Sequence, residues 1–195
     1  MLTKWGKKLI SLPYNASGSP ILKIPNTSQT VGMIRAKGCL GTDYILTPIT
    51  YGVSYSTLFT SYVESTGTAS YGFAVGSGDT PATENDYCLD SILSGLSLSS
   101  SPSVQMVYDS STGKFNLHVD LTLSNNTEND IIIKEIGSFF TAYTSETLGG
   151  APTTGAYYQK SFMLSRVVLD SPVTIGAGQS GVVRYIEEYQ MDSAE

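Results

Sequence analysis

Between residues 115 and 123, apolar and polar side chains alternate without a break. Phe115, Leu117, Val119, Leu121 and Leu123 take the odd positions; Asn116, His118, Asp120 and Thr122 take the even ones. A period of two puts these sets on opposite faces of an extended strand, one against a core and one in water. Val104, Met106 and Tyr108 alternate in the same way just upstream. Between them lies Asp-Ser-Ser-Thr-Gly-Lys, a turn sequence in which Gly113 is free to adopt positive φ. The two segments predict a hairpin with one apolar face. A polar turn from Asn125 to Asn129 follows, and Ile131, Ile132 and Ile133 then open a strand that is apolar on both sides and reaches Phe139 and Phe140. Such a β-branched run suits a central strand. Three antiparallel strands with a common apolar face are enough to nucleate a β domain.

The same pattern predicts further strands over residues 30–36, 44–46, 50–63, 70–75, 162–169, 173–175 and 181–189. Residues 91–103 are Ser-rich and read as a loop, and 141–160 as a long excursion containing Gly149, Gly150 and Pro152. Thr83 is placed to cap a single helical turn holding Asp86, Tyr87 and Leu89. Eight to ten short strands with Gly-rich turns and at most one helical turn make the chain all-β. The expected fold is an antiparallel β-sandwich, jelly-roll or Greek-key-like. We expect one such domain over residues 30–190 and a frayed tail at 191–195.

Residues 1–29 break the pattern. Pro13, Pro20 and Pro25 exclude helix and central strand, which predicts an extended N-terminal arm. Trp5, Ile10, Tyr14, Ile21 and Ile24 punctuate it as apolar anchors, and a disordered tail would lack them. Charge sharpens the picture. Lys4, Lys7, Lys8, Lys23, Arg35 and Lys37 all precede the first acid, Asp43. The chain carries −6 overall, so the residues after Lys37, with 17 acids and five bases, carry −12. A basic, anchor-bearing arm on an acidic body is suited to meeting something acidic, either its own body or another copy, and no aromatic-and-basic alternation or RNA-binding motif supports nucleic acid. Trp5, Lys7, Lys8, Ile10, Tyr14, Ile21 and Ile24 are its candidate interface residues.

Only 14% of the 195 residues are charged, against the usual quarter, and Ser and Thr make up about a quarter instead. That composition fits a turn-rich β domain and is common in secreted domains and in virus particles alike; an ordinary β-sandwich accounts for it. The first 12 residues lack the layout of a signal peptide, so folding in a cytoplasm with free Cys39 and Cys88 is expected. The sequons at Asn26 and Asn125 then read as chance matches.

Candidate chemistry is sparse. Gly76-Ser77-Gly78 opens like a dinucleotide loop, but Pro81 takes the place of the third glycine. Gly52-Val53-Ser54-Tyr55-Ser56 lacks the closing glycine of a nucleophile elbow. His118, the single histidine, falls on the polar face of a strand, where a solvated side chain is expected and not a general base. Asp79, Glu84, Asp86 and Asp90 lack the alternation of a calcium loop. Glu84 and Asp86 are not distinguished as a glycosidase pair from any other acids. No catalytic, cofactor or metal site is expected. Tyr157 and Tyr158, beside the long loop, are candidates for stacking on a host-surface glycan.

One set of residues carries a resemblance. Val75-Gly76-Ser77-Gly78-Asp79-Thr80-Pro81-Ala82-Thr83 is followed by Asp86-Tyr87-Cys88-Leu89. Ile132-Ile133-Lys134-Glu135-Ile136-Gly137 comes next, then Arg166 and the closing Pro172-Val173-Thr174-Ile175-Gly176-Ala177-Gly178. Over residues 73–189 this resembles a module of tailed-bacteriophage virion proteins, including tail-fibre and collar-type proteins. Ser138-Phe139 departs from that pattern, which has Leu or Met before Phe. The resemblance implies a structural role in a virion assembled in the bacterial cytoplasm. It implies other copies and other virion proteins as partners. With no run of 18 apolar residues and no aromatic-and-basic alternation, no membrane and no specific nucleic acid are expected.

Overall fold

The computed structural model describes residues 34–46, 58, 64–65, 72–144 and 158–190. Among them are ten strands and no helix. β1 (Ile34–Lys37) and β2 (Asp43–Leu46) form a small hairpin. The first sheet places β10 (Ser180–Gln190) on one edge of β7 (Lys114–Asn125). β5 (Leu96–Leu98) and β6 (Ser103–Asp109) lie end to end on the other. The second sheet runs β3 (Glu64–Ser65), β9 (Tyr158–Ile175), β8 (Ile131–Thr144), β4 (Gly72–Gly76). All named pairs are antiparallel, and the two sheets pack face to face as an all-β sandwich.

The alternation along β7 is realised residue by residue. Leu117, Val119, Leu121 and Leu123 are buried, while the even positions are half-buried on the outward face. They meet Ile131, Ile133 and Ile136 of β8, Phe73 and Val75 of β4, and Val183 and Tyr185 of β10 in one core. Tyr185 also ties the sheets by polar contact. Its hydroxyl hydrogen-bonds Ser165 of β9 and lies 3.5 Å from Ser138 Oγ, and the two serines are 2.7 Å apart. Its ring sits edge-on to Phe73 at 5.2 Å. The serine at 138 therefore has a packing reason: it partners a buried hydroxyl that a Leu or Met would leave short of a bond.

β8 does not extend the β6–β7 hairpin as the common apolar face predicts; it crosses into the opposite sheet. β8 pairs with β9 while β7 pairs with β10, a nested ribbon of the kind jelly rolls use. The crossing is held by Asn125, 2% exposed. Its Nδ2 donates towards the carbonyls of Asn129 (2.8 Å), Ile175 (2.9 Å) and Gly176 (3.2 Å). Its Oδ1 accepts from the amide and hydroxyl of Thr127. One side chain thus closes both chain reversals at the corner. The same burial removes the Asn125 amide from any glycan.

Four further expectations are corrected. Residues 96–98, inside the expected loop, pair with β7. The two strands expected at 162–169 and 173–175 are one, β9, with a register shift opposite Lys134 that takes up Pro172. Thr83 caps no helix. Its amide and hydroxyl both bond the Asp86 carboxylate, at 3.0 and 2.7 Å, in a local turn. The β6 face also differs: Val104, Met106 and Tyr108, expected in the core, are 46%, 59% and 57% exposed.

Candidate functional site

Around β4 the second sheet is buried on both faces, and β4 is buried along its whole length. Its outer face is covered by the segment from Ser77 to Gly95 and by the β1–β2 hairpin. Leu89, Cys39, Ala74, Phe139 and Met163 form a second apolar cluster there. Tyr44 stands edge-on to Phe162, and the Cys39 amide donates to the Ser161 carbonyl at 3.0 Å.

Two charged side chains are sealed under this cover. Glu135 of β8 is 0% exposed and Arg166 of β9 is 2% exposed. The guanidinium is a three-way hub. Nε meets Glu135 Oε2 at 2.8 Å, Nη1 meets Asp86 Oδ2 at 2.9 Å, and Nη2 meets Asp90 Oδ2 at 2.6 Å. Glu135 also accepts three backbone amides, from Gly78 (3.0 Å), Ser91 (3.0 Å) and Asp90 (3.2 Å). A buried ion pair is tolerable only when its remaining acceptors are satisfied, and each Glu135 oxygen accepts two bonds. The glycines make the approach possible. Gly76 is the register partner of Glu135. A Cβ on Gly76 would stand 2.3 Å from Glu135 Oε1 and 2.6 Å from the Ser91 carbonyl oxygen. A Cβ on Gly78 would stand 2.6 Å from the same carboxylate oxygen.

Electrostatics follow from this packing. Burial alone would pull the Arg166 pKa down; hydrogen bonds with Asp86 and Glu135, and the charges of Glu135 and Asp90, outweigh it and push it up. Burial alone would likewise raise Asp86, but the Thr83 and Arg166 hydrogen bonds outweigh it and hold the carboxyl below its ordinary value. The Cys39 and Cys88 thiols are free. Burial, first of all, pushes both up, so neither has the thiolate character of a nucleophile.

The candidate motifs find different places. The amides of Gly76-Ser77-Gly78 do not form a phosphate cradle: Ser77 donates to the Ser91 carbonyl, and Gly78 to Glu135. The four acids divide. Asp79 pairs with Lys134 at 2.8 Å, Asp86 and Asp90 hold Arg166, and Glu84 is exposed. Among the described residues no group of His, Cys, Asp and Glu is disposed to hold a metal. His118 lies half-buried on the outward face, opposite Gln105 and Ile186, beside the Asp120–Arg184 ion pair. The elbow-like segment at 52–56, the interface residues Trp5, Lys7, Lys8, Ile10, Tyr14, Ile21 and Ile24, and Tyr157 lie outside the described residues. Tyr158 begins β9, its backbone paired with Thr144.

The hub itself was not visible in the sequence as a site. Its three acids lie 31 to 80 residues from Arg166, so no local spacing joins them to it. The one signal was the unusual pair of glycines ahead of Asp86, which asked for a close approach by something. Comparison with family models, curated proteins and solved structures found no match.

Proposed function

We propose that this chain is a structural subunit of a tailed-phage virion, a capsid-associated, collar or tail protein that acts by assembly and not by catalysis. One observation carries the reading. At the Arg166 hub every charge is committed to holding a covering segment onto a sheet. That is the chemistry of a fastening. A reacting site needs a group left available to substrate, and Glu135 and Arg166 are shut from solvent.

The charge division supplies the mode of assembly. The basic arm, with Trp5, Lys7, Lys8 and Ile10 as its anchors, docks on the acidic body of a neighbouring subunit. Attraction of this kind is screened by salt, with a Debye length of about 10 Å at 0.1 M. Light scattering and electron microscopy of the full chain test the reading. Assemblies larger than a dimer are expected at low salt, shrinking at about 1 M NaCl, and absent when Lys7 and Lys8 are both changed to Glu. Assembly unaffected by salt and by that double substitution would remove the arm from the reading. A chain that stays monomeric beside its virion partners would remove the reading itself.

A further inference from the structure

We infer that β6 is a self-association edge, on which the strand Ser103–Asp109 of one chain pairs antiparallel with the same strand of a second copy. The inference rests on the assembly reading and names a contact within it. β6 bonds β7 on one side. Among the described residues nothing pairs with its other side, so a row of backbone donors and acceptors is left to water or to a partner. Its side chains are also uncovered. Val104, Met106 and Tyr108 pair in register with Val119, Leu117 and Phe115, so they point to the core side of the sheet. Even so they are 46%, 59% and 57% exposed. The opposite sheet does not reach over them. Only the tilted Tyr108–Phe115 ring contact, 4.9 Å between centroids, shelters one of them.

Edges that must stay single carry Lys, Pro, a bulge or an inward charge. β6 carries none of these: the sequence is SVQMVYD and its register to β7 is unbroken over seven pairs. The strand is also complementary to itself. Antiparallel pairing centred on Met106 sets Val104 against Tyr108 and Met106 against Met106 on the core side. It sets Gln105 against Val107 and Ser103 against Asp109 on the other. Each Asp109 then faces a hydroxyl, and the two carboxylates stand about 20 Å apart at opposite ends of the pair. A second copy therefore fits this edge better than the basic arm does, since Asp109 is the one acid on the strand and offers little to an arm bearing Lys4, Lys7, Lys8 and Lys23. The pairing joins two sheets across one continuous surface. A single pair of seven-residue edge strands is a small contact beside the roughly 800 Å² per partner of a standard interface, so a weak, transient dimer is expected.

The experiment uses the full chain at about 1 M NaCl, where arm contacts are screened. Light scattering from about 1 to 500 μM is expected to rise from 20.8 kDa towards twice that mass. Amide exchange at residues 103–109 is expected to slow over the same range. Met106→Lys sets two ammonium groups against each other at the centre and is expected to weaken the dimer at least tenfold. Because residue 106 is exposed, the urea midpoint of that variant should match the parent, separating lost pairing from lost folding. Met106→Cys is expected to cross-link into a dimer under mild oxidation when Ser103→Cys and the parent chain do not. A mass of 20.8 kDa at every concentration overturns the inference, as does a dimer indifferent to Met106→Lys. Concentration-independent protection of 103–109 that disappears on deleting residues 1–29 would assign the edge to the arm and also overturn it. If low-salt assemblies persist in either case, the assembly reading stands and only this contact fails.

Discussion

Single side chains carry much of this fold, and two of them set its sharpest sensitivities. Asn125 turns one NH₂ group towards three carbonyls. Asn125→Asp keeps the shape and replaces those donors with a carboxylate oxygen aimed at the same three carbonyl oxygens. We expect a loss of about 3 kcal/mol or more in urea unfolding, well beyond the ~1 kcal/mol of an average hydrogen bond. Arg166 presents the opposite case, one cation serving three carboxylates. Arg166→Met leaves Glu135 charged and enclosed. A loss of about 3–5 kcal/mol is expected, the range found when one partner of a buried pair is removed. Adding Glu135→Gln should restore part of that loss while still accepting an amide. If the double variant unfolds no later than the single one, the stranded charge is not the cause.

At the level of strands, the sequence was most legible where burial and alternation agree. β7 has a core on one side and water on the other, and its odd and even positions say so. β8 is central, between β9 and β4, but its Ile run lies beyond the end of β4 and pairs with β9 alone among the named strands. Its double-sided apolar character had a mixed cause, because Ile131 and Ile133 are buried but Ile132 is 48% exposed. β5 was illegible because three residues in a Ser-rich stretch show no period. β6 misled for a different reason: alternation reports which face a residue shares, not whether anything lies above that face. The crossing of β8 was hidden in Asn125, whose partners at 175 and 176 are far along the chain. Tyr185 offers a test of how strands of opposite sheets are coupled. Tyr185→Phe keeps the ring against Phe73 and removes the hydroxyl, while Ser138 and Ser165 retain each other at 2.7 Å. The loss should therefore be small, about 1 kcal/mol, read as a shift in urea midpoint with an unchanged slope.

The whole molecule responds to acid through several carboxyls at once. Hydrogen bonds and charge from Lys134 hold Asp79 below its ordinary value, hydrogen bonds from Ser111 hold Asp109, and a hydrogen bond from Arg184 holds Asp120. Asp86 is held down as described above. A carboxyl with a lowered folded pKa contributes stability that is complete above its unfolded value, about 3.9, and is lost as pH falls through the folded value. Stability should therefore be level between about pH 5 and pH 8 and decline below about pH 4. Asp86→Asn should make the chain less stable at pH 7 and flatten its decline in acid, measured as urea midpoints across pH. A decline of unchanged steepness would show that the other carboxyls account for it. The charge division between the first 37 residues and the rest was fully legible, since it needs only counting.

The Arg166 hub has a consequence for chain continuity. Residues 79 to 85 are mostly exposed, yet Gly78 on one side is bonded to Glu135 and Asp86 on the other is bonded to Arg166. A protease that severs this bow would free neither stump, because each is moored separately to the same sheet. Such a nicked protein should migrate as two fragments in denaturing gels yet weigh one intact chain plus one water in native mass spectrometry. The molecule could then be built from two separately expressed halves.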